Sequence, residues 1–204
     1  MTEPATTLTD MLLAVVGTGF FVHQRRSGAQ GATVFFAALA MAAVCGALSH
    51  GFLKEAAPIV RQVVWWITLV CTGASAAGLA LVGLECLEWG PARRRIMSVA
   101  VPFAVLAVWL WFDPRFRVGL RATAIGGLVL VAGLIHHARR RPGTGAGLVT
   151  AGLGLSVVAG LLQQRGVGLH PVHFDHNATY HVIMIPALLL IHAGALAITA
   201  SRQG

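Results

Sequence analysis

Polar and apolar residues are segregated along this chain. Uncharged stretches cover residues 11–24, 27–53, 62–84, 96–112, 122–138, 142–164 and 176–201. A bilayer core of about 30 Å takes roughly 20 residues of helix. The pattern therefore predicts an all-α integral membrane protein, a seven-transmembrane helix bundle forming one domain over residues 1–204. The first stretch reaches spanning length as Thr6–Gln24 when Asp10 sits near one headgroup layer. Acidic residues, Glu3 and Asp10, stand where a signal peptide would be basic, and no small-x-small cleavage site follows. It reads as a retained first helix.

Composition agrees with this pattern: 56% of residues are hydrophobic and only 11% are charged. A typical soluble domain carries about 25% charged residues, so a soluble catalytic module or nucleic-acid reader is excluded. The net charge of +8 is then a matter of topology. Arg25 and Arg26, Arg93–Arg95, Arg139–Arg141 and Arg202 fall after alternate spans, in compact clusters on one side. Lys54, Arg61, Arg115, Arg117, Arg121 and Arg165 fall on the other side, scattered and partly offset by Glu55, Asp113 and Asp175. The positive-inside rule places the amino terminus outside and the carboxyl terminus inside an inner (plasma) membrane. The glycines of spans 5 and 6, among them Gly126, Gly133, Gly145 and Gly152, suit close helix packing in lipid. Cys45, Cys71 and Cys86 read as small buried hydrophobes, and Glu85 and Glu88 as a salt-bridged helix end.

Ionisable groups inside a membrane are costly, which makes each one informative. The chain has nine histidines against a single tyrosine and a single lysine. The lysine, Lys54, lies in a loop, so the last span lacks the Schiff-base lysine that retinal chemistry needs. His23, His136 and His137 sit at span ends beside arginines and read as interfacial. His192 lies deep in the last span, where a neighbouring helix can satisfy it. The trio of interest is elsewhere. His50 near the end of span 2 and His181 early in span 7 fall at similar depth on the outer side. Residues 170–181 hold His170, His173, Asp175, His176, Asn177 and His181. Imidazoles and carboxylates are the usual zinc ligands, and Asp10, one turn into span 1, can join as ligand or general base. His176 and His181 are five residues apart, about 140° around a helix. They share an ion only if His176 lies in a turn before the helix begins. Alternatively, Asp175, His176 and Asn177 cap the first free amides of the last helix.

At these residues the chain resembles the CREST superfamily of seven-helix membrane proteins, which includes alkaline ceramidases and adiponectin-receptor-like proteins. The segment Phe174-Asp175-His176-Asn177-x-x-Tyr180-His181 looks like a bacterial branch of that group. The resemblance implies a zinc near one membrane face, held by a helix-2 histidine, matching His50, and by two helix-7 histidines, of which His181 matches the second. Asn177 stands at the first of that pair with His176 one place earlier, and Gly46 stands at the family serine, with Ser49 beside His50. The implied activity is zinc-dependent hydrolysis of a lipid-like amide or ester near the outer face. On this expectation His50, His176 and His181 hold zinc, with Asp10, Asp175 and Ser49 as catalytic residues. Two other expectations stand beside it: a non-catalytic subunit with partner membrane proteins, and a haem- or quinone-binding redox protein using His50, His181 or His192.

Overall fold

Seven apolar stretches of helical length fold into seven helices. In a computed structural model, which describes residues 3–143, 145–170 and 173–203, they are α1 (Pro4–Ser27), α2 (Gln30–Gly51), α3 (Pro58–Cys86), α4 (Ala92–Phe112), α5 (Phe116–Arg140), α6 (Ala146–Gln164) and α7 (His176–Gln203). All seven are long and apolar enough to cross a membrane. Pro171, in the segment before α7, lies outside the described residues.

Local chemistry explains where the helices begin and end. Pro4 and Pro58 open α1 and α3, where the missing amide proton would have no helical acceptor. Gly28 ends α1 with φ +78°, and the amides of Gly28 and Ala29 donate back to the carbonyls of Arg25 and Gln24. The first turn of α2 has no cap of its own. Glu85 of α3 supplies one, its Oε1 accepting from the Gly31 amide at 2.9 Å. A carboxylate at that position also faces the positive end of the helix dipole.

The packing order around the bundle is α6, α7, α1, α2, α3, α5, with α4 laid mainly against α3. Backbones approach closely where glycines meet. Gly78 faces the Phe35 backbone across α2–α3, Gly83 faces the Val129 backbone and Gly133 the Gly83 backbone across α3–α5, and Gly152 meets Ala187 across α6–α7. A methyl group at any of these would lie under 3.0 Å from backbone atoms. The core runs along α1, α2 and α7 through Leu13, Phe36, Met184 and Leu188. By contrast α4 buries only Leu110 among its residues. The cysteines are free thiols set in helices.

The arginine-rich end is tied together by polar contacts. Arg202 of α7 pairs with Glu85 at 3.6 Å, Arg141 donates to the Ser201 carbonyl, and Gln203 donates to the Ser27 carbonyl at 3.2 Å. Glu88 pairs with Arg140 and Arg141 at 3.7 and 3.6 Å. Both glutamates thus serve as salt-bridged ends, with cations from α5 and α7.

Candidate functional site

The inward face of α1 changes character along its length. Thr6, Thr9 and Asp10 are buried at its start, Leu13, Ala14 and Gly17 in its middle, and Gln24 at its end. These positions follow the three- and four-residue spacing of one helical face, which lies against α2 and α7. Each polar segment meets a histidine of α7.

At the amino-terminal end, Asp10 Oδ1 lies 3.3 Å from His181 Nε2, and both side chains are buried. The other ring nitrogen, His181 Nδ1, lies 3.0 Å from Thr9 Oγ1. Thr9 has a single hydroxyl proton and two carbonyl acceptors, Ala5 at 2.9 Å and Thr6 at 3.0 Å. Two proton arrangements satisfy this geometry. In one, Thr9 donates to Nδ1 and His181 donates from Nε2 to the Asp10 carboxylate. In the other, Thr9 donates to a carbonyl, His181 donates from Nδ1, and Asp10 brings its own proton to Nε2. The pair is therefore built to hold one movable proton. The second carboxylate oxygen, Oδ2, is buried with no hydrogen-bond partner among the described residues. It rests on α2 at Gly46, whose missing side chain leaves room for it. Tyr180 closes the site edge-on to the His181 ring.

A more open layer surrounds this pair. His50 Nδ1 bonds Glu3 Oε2 at 2.6 Å, and Lys54 Nζ stands 3.5 Å from the other Glu3 oxygen. Asp175 Oδ1 accepts from the Ala178 amide and from the Thr6 hydroxyl, each at 2.9 Å. Partial burial pushes the Asp175 carboxyl up, but the bonds from Ala178 and Thr6 outweigh it and hold it below the ordinary 3.8. Asp175 is thus the amino-terminal cap of α7, tied to α1. Asn177 Oδ1 accepts from Gln163 Nε2 at 2.9 Å, joining α6 to α7.

The structure puts Asp10 and His181 in direct contact, sets His50 and Asp175 in the layer around them, and gives each of those two another polar partner. Because α7 begins at His176 itself, the 140° offset applies, and His176 faces away from His181. Asp175 is engaged as a cap. Ser49 is half-buried in the last turn of α2 and makes no polar contact with the pair among the described residues. Zinc at His50, His176 and His181 would need three lone pairs aimed at one point. His181 has both nitrogens engaged within the bundle, and no group of three histidine, cysteine or acidic residues converges among the described residues. As arranged here, Asp10 and His181 form a buried acid–base pair rather than part of a converging three-ligand set among the described residues.

Haem ligation at His192 meets the same obstacle at the other end of the seam. His192 Nδ1 lies 3.0 Å from Gln24 Nε2, and His192 Nε2 lies 3.2 Å from His23 Nδ1. Gln24 Nε2 also donates to the His192 carbonyl at 3.0 Å, which fixes the amide orientation. Nδ1 of His192 is then an acceptor, Nε2 carries the proton, and His23 receives it. Phe20 stacks on the ring at 4.2 Å.

Sequence reasoning missed the contacts that Thr9 and Gln24 make with the α7 histidines, and the space that Gly46 leaves for Asp10. The signal available was their position on the same face of α1 as Asp10, or opposite it on α2. The chain belongs to the family of unknown function DUF6962, whose model matches residues 5–200. No curated protein matches it, and neither does any solved structure.

Proposed function

We propose that this member of the family is a multi-pass protein of the inner (plasma) membrane, with its amino terminus outside and its carboxyl terminus inside. In this reading its outer end carries an acid–base centre that hydrolyses a lipid-like ester or amide. The arginine clusters at the opposite end support the orientation. One observation carries the chemistry: a buried Asp10–His181 pair whose Oδ2 has no partner among the described residues. An unsatisfied buried carboxylate oxygen is costly, and it is ready to accept a proton from an incoming water or hydroxyl.

The reading keeps the CREST fold and reaction class as proposed likenesses and assigns water activation to the chain's own residues. His181 holds Asp10 through Oδ1, while Oδ2 takes a proton from water. The water oxygen adds to the substrate carbonyl carbon. As the carbon–oxygen or carbon–nitrogen bond breaks, that proton passes to the leaving oxygen or nitrogen, and Asp10 returns to its starting state. Thr9 keeps the imidazole in its working tautomer.

The test is turnover of a panel of fluorogenic lipid esters and amides by the purified protein in nanodiscs. Asp10→Asn and His181→Ala should each lose at least about 100-fold, the usual scale of a general acid–base contribution. Absence of turnover by wild type across the panel would refute the reading. A second reading, an integral subunit of a larger assembly, is favoured by α4, whose residues Val105, Val108, Trp109 and Phe112 line an uncovered apolar depression. A stoichiometric partner recovered in mild detergent and lost on Val108→Arg would support it.

A further inference from the structure

Beyond the acid–base centre, α1 presents an exposed apolar stripe on its opposite face. The helix packs only against α2 and α7 among well-packed neighbours, so its far side is open. Leu8, Met11, Leu12, Val15 and Val22 are exposed there, repeating at three- and four-residue intervals. The stripe ends in a depression lined by Phe21, Val22, Arg25 and Arg26. Gly19 lies just above it and has nothing within 4 Å of where a side chain would begin, so the stripe is notched.

The arginines at this end of the bundle fall into two groups. Arg140 and Arg141 face Glu88, Arg202 faces Glu85, and Arg95 donates to the Gly90 carbonyl. Arg25 and Arg26 pair with no carboxylate among the described residues, as is also so of Arg93, Arg94 and Arg139, but the α1 pair stands at the foot of the apolar notch. Two guanidinium groups at the foot of an apolar notch suit a phosphate attached to a hydrocarbon chain. The length fits as well. From Val15 to Arg25 the helix rises about 15 Å, half of a bilayer core of about 30 Å and hence one leaflet.

We propose that this groove binds one anionic phospholipid, with its phosphate on Arg25 and Arg26 and an acyl chain running past Phe21 and Val22 over Gly19 toward Val15. The site is separate from the acid–base centre and stands whether or not that centre is catalytic.

Native mass spectrometry of the full chain, released from micelles doped with phosphatidylglycerol or phosphatidylcholine, tests it. A single phosphatidylglycerol adduct should persist at activation energies that strip phosphatidylcholine, and excess inorganic phosphate should not displace it. Each surface arginine contributes on the order of fivefold, so Arg25→Gln with Arg26→Gln should weaken the adduct by at least about tenfold. Arg93→Gln with Arg94→Gln, exposed arginines at the same end, should leave it intact. Gly19→Leu fills the notch without altering charge and should weaken the adduct several-fold, which covers the case of an arginine variant that fails to insert. Equal loss in the Arg93/Arg94 control, no preference over phosphatidylcholine, displacement by phosphate, or an unchanged adduct in Gly19→Leu would each overturn the proposal.

Discussion

Adding one methyl group at Gly46 isolates the packing of the buried pair. The new Cβ would lie 2.9 Å from both Asp10 oxygens and 3.0 Å from Cγ, too close for the carboxylate to stay. To reach ordinary contact it must retreat by about 0.5 Å, which stretches a 3.3 Å contact with His181 beyond hydrogen-bonding range. Losing a charged hydrogen bond in a buried site costs about 2–3 kcal/mol. Replacing glycine by alanine inside a helix returns up to about 1 kcal/mol. The net cost of Gly46→Ala is therefore about 1–2 kcal/mol, or a fall of roughly 2–8 °C in the unfolding midpoint for a chain of this size. Thermal unfolding in detergent measures it, and the decisive comparison is a double-mutant cycle with Asp10→Ala. In the Asp10→Ala background the three clashing atoms are gone, so Gly46→Ala should become neutral or stabilising. The cycle should give a coupling of about 2–3 kcal/mol. If Gly46→Ala costs the same in both backgrounds, the carboxylate does not rest on Gly46 and the geometry of the pair is wrong.

Gln24→Leu should destabilise by about 1–3 kcal/mol in the same unfolding assay, because it leaves His192 Nδ1 without its donor and takes a second donor from the His192 carbonyl. Glu85→Gln should cost clearly less than Glu85→Ala, since an amide oxygen still accepts from Gly31 while only the Arg202 pairing is lost. Asp175 has its folded pKa below the ordinary 3.8, so its cap contributes stability above that value. The contribution disappears as pH falls through the lower, folded value; Asp175→Asn should flatten that acid limb, and Asp175→Ala should cost about 1 kcal/mol at neutral pH. Chelation with phenanthroline should leave any turnover unchanged, and a loss reversed by zinc would return the chemistry to a metal.

The positions of the helices were legible because each reports a local property, an uncharged run of spanning length. Even the first, interrupted by Asp10, extends from Pro4 to Ser27. Asp10 and His181 were also legible, since a buried ionisable group stands out in an apolar stretch. Their partners were not. Thr9 looks like any helical threonine that bonds its own backbone, and its contact with His181 spans 172 residues of sequence. The placing of His176 turned on where the helix starts: because α7 begins at His176 itself, no turn precedes it to swing the ring toward His181. Gly46 was visible only as a departure from the family serine. Its physical meaning, space for a carboxylate, depends on how α1 is rotated against α2.

That rotation also fixes what the α1–α7 seam can do as a whole. Its two proton-holding clusters, Asp10 with His181 and His192 with His23, are separated by Leu13, Ala14, Gly17, Met184 and Leu188, all but the glycine among the core residues. From Asp10 to His23 the helix rises about 20 Å, several times the reach of a hydrogen bond. Protons cannot pass between the ends without a file of water, and the apolar side chains between them give water no partner. The seam therefore holds two proton-holding sites, one toward each end of the bundle, with an apolar segment between them. Such insulation lets an ionisable centre sit within a membrane span without becoming a leak, and it confines the proposed acid–base chemistry to one end. Met184→Asp would remove it by placing a carboxylate in the apolar segment, and proton permeability of reconstituted vesicles should rise. Unchanged permeability in a folded Met184→Asp protein would show that the barrier lies elsewhere along α1 and α7.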